Sequence, residues 1–382
     1  AGLSAFKLWC VTLARKLNAD REPAIQHLED LNQGVQIDAF EAEPFSIMPY
    51  PSLLASRVSV KASSGQSWQD VEIAMEIAES VDTPSQSIEV SVSIEPVGSD
   101  IQATYDVEAN DWSGAISEYQ FQIPDADAHS SLPGDEFLRQ YPPRFHIDAN
   151  SIVTGGAKYV TETTLDEFDP SSLRMELQPA WGDYIEEDAV EKPGWWDDVD
   201  ETTDLTAMWE SEPIESVFCA MVETLTSRYG GEEYVLFCDD MGDEIADFIE
   251  FRTDEKQITF YHVKRSKPPG VRISYFKDIY HQTLRSLRYT YTQDLVEQLA
   301  GNQQGTSRSQ VIHGEETFEE ITQDFVPTDW SYTICGVHPG LRLDFDPEAG
   351  HENVGRLLSE CVEQVERYNV EFGMIGPEDD QP

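Results

Sequence analysis

The apolar positions change period along the chain, and each change marks a different kind of structure. Near the start, Phe6, Trp9, Cys10, Leu13 and Leu17 fall on one helical face. One or two helices are therefore expected over residues 4–31, interrupted near 20–23. From about residue 45 to 165 the period is two. Residues 87–94 alternate polar and apolar almost throughout, as do 101–107 and 119–123, the pattern of strands with one buried face. Residues 144–148 and 151–154 suit a hairpin across Ala149-Asn150, and 158–161 a further strand. With Gly and Pro between these segments, an antiparallel β domain is expected.

Residues 182–204 hold ten acids and one lysine around Pro193-Gly-Trp-Trp. This stretch is expected to be a linker whose Trp195 and Trp196 dock on a neighbouring domain, with the domain boundary near 205. Beyond it the pattern is mixed. A helix is expected over 213–228, opened by Ser211 as N-cap with Pro213 in its first turn, and ended by Gly230-Gly231. Strands follow at 234–238, 245–251 and 258–263, the last two joined by a polar tip at 253–257. A helix at 274–289, a strand at 332–337, an amphipathic helix at 353–368 and a strand at 371–375 complete the order. The expected class is α+β. A helical lead-in (1–40) precedes a β-rich domain (41–180), an acidic linker (181–205) and an α/β domain (206–382). No internal repeat is visible.

Composition changes the picture in one respect. The 382 residues include 73 Asp+Glu against 25 Lys+Arg, a net charge of −48. These acids are interleaved with Val, Ile, Phe, Tyr and Trp, so a core can still form. At molar salt the Debye length shrinks to about 3 Å and self-repulsion hardly matters. The acidity is therefore expected to reflect a salt-rich, halophilic cytoplasm. The cysteines Cys10, Cys219, Cys238, Cys335 and Cys361 show neither CxxC nor zinc spacing, as suits a reducing compartment. No run approaches the roughly 18 apolar residues that span a membrane, and no secretory signal is visible. Because the chain begins at Ala1, a longer parent protein is the expectation.

Candidate chemistry concentrates in one stretch. Asp247 lies in an otherwise apolar segment expected to be a strand, where a carboxylate is expensive unless paired. Lys264 falls near the end of the next strand, with His262 on the same face. Hairpin pairing would bring the three together. A carboxylate holding Mg²⁺ or Mn²⁺ beside a lysine that steadies a water or phosphate oxygen suits phosphodiester hydrolysis. The Val263 carbonyl could add a hard ligand. On spacing alone, a buried Asp–Lys ion pair with a packed histidine is an equal alternative. Charge distribution tips the balance. Residues 256–290 carry eight basic side chains (Lys256, Lys264, Arg265, Lys267, Arg272, Lys277, Arg285, Arg288) and one acid, Asp278. The rest of the chain holds 17 basic residues against 72 acids. A basic island on so acidic a background suits a phosphate backbone.

The combination Asp240-x-Gly-x-Glu-x-Ala-Asp, then His262-x-Lys-x-Ser, Pro269-Gly-x-Arg and a helix with Tyr280 and Gln282 resembles a PD-(D/E)XK-like nuclease domain. In large prokaryotic helicase-like proteins, many tied to phage defence, such a domain lies C-terminal to the motor. The resemblance extends weakly upstream, to Pro142-Pro-Arg-Phe. Downstream it takes in Gly336-Val-His-Pro-Gly-Leu and 368–376. It implies a restriction-endonuclease-like (αβββαβ) fold, with Asp247 as the metal-binding acid and Lys264 as the lysine. His262 departs from the pattern, which usually has Glu or Asp there. Glu244, or Glu215 or Glu223 from the preceding helix, could supply the missing carboxylate, with Glu215 preferred. Arg265, Lys267, Arg272, Gln282 and Arg285 would contact substrate. No GxxxxGK[ST] phosphate loop is present, so a motor is expected elsewhere on the full-length chain or on a partner.

The expected function is Mg²⁺- or Mn²⁺-dependent cleavage of DNA. The alternatives are an inactive nuclease fold used for nucleic-acid or protein docking, and a structural adaptor that leaves the basic island unexplained.

Overall fold

In this computed structural model the described residues are 35–50, 53, 58–62, 67–78, 83–95, 99–123, 131–148, 151–160, 175, 191–194, 196–199, 203–211, 216–228, 234–240, 244–265, 273–305, 308–339 and 352–376. The helices expected over 4–31 lie outside them. The chain is of mixed α+β class and divides into two compact units, Ala1–Glu167 and Phe168–Pro382.

The first unit is built on two antiparallel sheets. The seven-stranded sheet joins β3 (Val58–Ala62), β4 (Gln69–Ile77), β5 (Ser87–Glu95), β6 (Ser99–Asp106), β7 (Asp111–Gly114), β8 (Tyr119–Gln122) and β9 (Leu132–Pro133) in the order β7-β6-β5-β4-β3-β8-β9. After α1 (Gly134–Gln140), the strands β10 (Arg144–Asp148), β11 (Ser151–Thr154) and β12 (Ala157–Val160) join β1 (Val35–Gln36) and β2 (Ser46–Met48) in the order β1-β12-β11-β10-β2. Strand β5 shows why this region folds as it does. Ile88, Val90, Val92 and Ile94 are buried on one face, while Glu89 is exposed. Each such aliphatic residue contributes about 1.5–3 kcal/mol on full burial. The core is completed by stacked Tyr105 and Phe145 with Trp112 and Phe40 around them.

The second unit holds a six-stranded sheet of mixed direction. Strands β13 (Tyr234–Asp239), β14 (Phe248–Arg252) and β15 (Gln257–Val263) form an antiparallel meander; β16 (Ser309–His313) pairs antiparallel with β13. β17 (Ser331–Val337) and β18 (Glu371–Ile375) then add in parallel beside β15. Helices α2 (Leu205–Ser211) and α3 (Val217–Arg228) bury Leu205, Val217, Phe218, Met221 and Leu225 in a core with Trp196, Phe248, Tyr261 and Val263. Trp196 thus belongs to the core of the second unit, and Trp195 lies outside the described residues.

Helix α4 (Ile273–Ser286) packs against β15 and β17, and α7 (Glu352–Glu366) packs on α4. Between them in sequence come α5 (Asp294–Gly305) and α6 (Glu315–Asp324). Among the described residues no helix is long and apolar enough to cross a membrane.

Three local differences from the sequence expectation have physical causes. The helix expected from 213 starts at Val217, because Ser216 Oγ accepts the Cys219 N–H at 3.1 Å and so caps it in place of Ser211. Asp247 precedes β14 instead of lying inside it, because its carboxylate takes a hydrogen bond from the neighbouring strand. Helices α5 and α6 and strand β16 do not emerge from the periodicity, since they bury only three, two and one apolar residues respectively (Leu295, Val296 and Leu299; Phe318 and Ile321; Ile312).

Gly336 allows α4 its close approach. It pairs with His262 across β17 and β15, and a Cβ there would lie 2.6 Å from Met374 Sδ and 2.8 Å from Ile279 Cγ2. Replacing Gly336 by Val is expected to destabilise the protein by about 1–3 kcal/mol through overpacking, read from urea unfolding. An unchanged midpoint would mean that α4 does not pack so closely.

Candidate metal centre

The centre forms where β13 ends, β14 begins and β15 ends, and the loop that carries its acids is fastened from two sides. From the sheet side, Asp239 Oδ1 accepts Asn302 Nδ2 at 2.8 Å and Ser309 Oγ at 2.7 Å, while Oδ2 accepts the Ile245 N–H at 3.0 Å. Burial pushes this carboxyl up, and the three hydrogen bonds pull against it. The Asp239 N–H donates to the Asp247 carbonyl at 3.1 Å, closing the loop on itself. From α4, Gln282 Nε2 donates to Glu244 Oε1 at 2.8 Å, Arg285 Nη2 to the Glu244 carbonyl at 3.3 Å, and Ser286 Oγ to the Ile245 carbonyl at 2.7 Å.

This fastening gathers three carboxylates. Asp240, Glu244 and Asp247 each place one oxygen within 4.8 Å of the others, with Asp240 and Asp247 buried and Glu244 half-buried. Asp247 Oδ2 also accepts the Val263 N–H at 2.7 Å, which ties the acid to the residue before Lys264. Burial pushes the Asp247 carboxyl up to about 6, with Lys264 opposing and Glu191 adding to the rise. Glu244 is raised by burial and then by Asp247. Burial works to discharge Lys264, but Asp247, Glu191 and Glu244 outweigh it and keep the ammonium charged.

A segment from the acidic stretch closes the other side. Lys192 Nζ lies 2.6 Å from Asp240 Oδ1, and Trp196 Nε1 donates to Asp240 Oδ2. Glu191 accepts the Arg265 N–H at 3.4 Å through its carboxylate and the Phe218 N–H at 3.0 Å through its carbonyl.

His262 points to α4. Its Nε2 lies 2.8 Å from Ser286 Oγ. The Ser286 hydroxyl is directed at the Ile245 and Gln282 carbonyls, so the imidazole is the donor. Burial, then Lys264 and Arg285, hold it neutral.

No family model, curated protein or solved structure matches this chain. What the centre can do is therefore argued from its own residues. Asp247, Glu244, Val263 and Lys264 come together; Gln282 and Arg285 reach the same loop, where they hold Glu244. It is the Val263 N–H, not its carbonyl, that touches Asp247. Arg265 is exposed beside Glu191, whereas Glu215, Lys267 and Arg272 lie outside the described residues. Lys256 sits in the turn at the far end of the β14–β15 hairpin, over the Trp330 ring. Tyr261 and Tyr280 are buried, donating to Glu250 and Glu360.

Sequence inspection missed Asp240 as a third acid and missed Glu191 and Lys192; it expected Trp196 to dock on a domain, but not on Asp240. One signal was available: a single lysine among ten acids in residues 182–204. An all-oxygen donor set fits a hard divalent cation, and the triad could bind a metal ion.

The raised Asp247 value fixes a sign. Between its ordinary value near 4 and its folded value, the folded protein keeps a proton that the unfolded chain has released. Stability without metal therefore falls as pH rises through that window. Asp247→Asn removes this slope, so its stability relative to wild type should rise by up to about 3 kcal/mol between about pH 4 and 7. Urea unfolding across that range measures it; a flat difference would contradict the raised value.

Proposed function

We propose that the second unit is a metal-dependent nuclease that hydrolyses phosphodiester bonds in DNA, built on a restriction-endonuclease-like core. The observation that carries this is the Asp247 carboxylate bonded to the Val263 N–H, with Lys264 next in sequence and Glu244 beside it. The order α3-β13-β14-β15-α4, followed by a parallel strand on β15, supports such a core.

Asp247 and Glu244 would hold Mg²⁺ or Mn²⁺. When bound, that ion polarises a phosphate oxygen and lowers the pKa of a bound water. The Lys264 ammonium orients the attacking water and stabilises the charge that grows on the phosphate. Gln282 fixes the Glu244 carboxylate. His262 acts through Ser286 on the loop backbone, which replaces the ligand role its position would otherwise suggest. Arg265, with Lys267 and Arg272 from the same basic segment, would meet the DNA backbone. A helicase motor on the same full-length chain or on a partner would deliver the substrate, as in a phage-defence system. The acidic surface suits a potassium-rich cytoplasm.

One observation favours a second function, an inactive nuclease fold used for docking. His262 stands where an acid would be, and its ring is bonded to Ser286.

The two are separated by cleavage of plasmid and linear DNA in molar KCl with Mg²⁺ or Mn²⁺. Wild type should cut; Asp247→Ala and Lys264→Ala should each lose activity by on the order of 10²–10³-fold or more. No cleavage by folded wild type, with or without a motor, would favour docking.

A further inference from the structure

Among the described residues, Asp240 is the acid of the triad with both carboxylate oxygens engaged, one by the Lys192 ammonium and one by the Trp196 indole. Resting on the metal centre proposed above, we propose that Lys192 is a tethered cation that competes with the divalent ion for Asp240. Glu244 and Asp247 are thereby left to hold the metal, at an affinity below what three free carboxylates would give.

Three observations carry this. Charge comes first. The three carboxylate oxygens lie within 4.8 Å of one another, and Lys192 brings a positive charge to Asp240 at 2.6 Å. An ion seeking Asp240 as a ligand must displace that bonded ammonium, whereas the group bonded to the Glu244 carboxylate among the described residues is the neutral amide of Gln282.

The second is partial burial. Asp240 is 7% exposed and Lys192 34%. The pair is therefore less screened than a surface ion pair, and removing one partner leaves a largely buried charge uncompensated.

The third is the tether. The Glu191 carbonyl is fixed by Phe218 N–H at 3.0 Å, and the Lys192 ammonium lies 5.6 Å from the Phe218 ring. Four residues on, Trp196 is buried against Trp209 and Phe218, and its carbonyl accepts Arg308 Nη2 at 3.1 Å. Held at both ends, the segment keeps the ammonium at the acid at a high effective concentration. No such arrangement is needed to satisfy Lys192 itself, which could reach solvent.

The test is titration of the full chain with Mn²⁺, followed by calorimetry in molar KCl to suppress diffuse binding to the acidic surface. Lys192→Met keeps the stem and removes the charge. It should bind Mn²⁺ about tenfold more tightly than wild type. Lys192→Arg keeps the charge and should stay near wild type, and most of the gain should vanish when Asp240→Asn is added to Lys192→Met. If the Met variant does not fold, Lys192→Gln serves in its place with the same expectation. A purely structural role would shift the melting temperature and leave the affinity unmoved. Equal or weaker binding by Lys192→Met, with Mn²⁺ bound by wild type, would overturn this proposal and spare the metal centre. No binding by either would overturn both.

Discussion

The hydrogen bond from the Val263 N–H to the Asp247 carboxylate is the interaction on which the geometry of the candidate metal centre depends. It joins the residue before β14 to the last residue of β15, so the acid and Lys264 are set side by side by the hairpin itself. A carboxylate in that place is expensive to ionise, as its upward-shifted value records. Lys264 and the Val263 N–H meet part of that cost, while the Asp239 side chain and Gln282, Arg285 and Ser286 from α4 hold the neighbouring Ile245 and Glu244. Apart from the Asp239–Ile245 and Asp239–Asp247 bonds, these contacts join segments distant in sequence. The centre is thus a product of the sheet's topology, with the close packing of α4 over Gly336 as a condition of it.

The sequence was informative in two ways. Strands β5, β6 and β8 and the hairpin β10–β11 could be placed from period two and punctuation, and the meander β13–β15 and the last strand from short apolar runs between turn residues, since they are buried almost continuously. The periodicity was uninformative where elements bury little: α6 offers Phe318 and Ile321, and α5 only Leu295, Val296 and Leu299 among aliphatic core residues. The start of α3 was misplaced because two serines could cap it, and only the fold decides which is used.

The site divides in the same way. Asp247 was legible because a carboxylate in an apolar strand pattern stands out, and Lys264 because it falls at the end of the next strand; Glu244 was one of three acids considered, with Glu215 preferred. Glu191 and Lys192 were not legible, because an acidic stretch with two tryptophans looks like a linker; Trp196 was expected to dock, but its bond to Asp240 is visible only in the fold. The basic island was legible as composition but not as a surface. Its members take separate places: Lys256 at the far turn, Arg285 on the Glu244 loop, and Arg288 over Tyr289. A count of charges in a window therefore overstated how many could serve one ligand.

The central claim is that Asp247 and Glu244 hold a divalent cation beside Lys264. Its most direct test is a crystal structure of the protein grown with Mn²⁺, with the ion located by anomalous scattering. The account expects a peak at the Asp247 and Glu244 carboxylates, with Lys192 still on Asp240. A saturated crystal with the loop ordered and no peak at these carboxylates would contradict it.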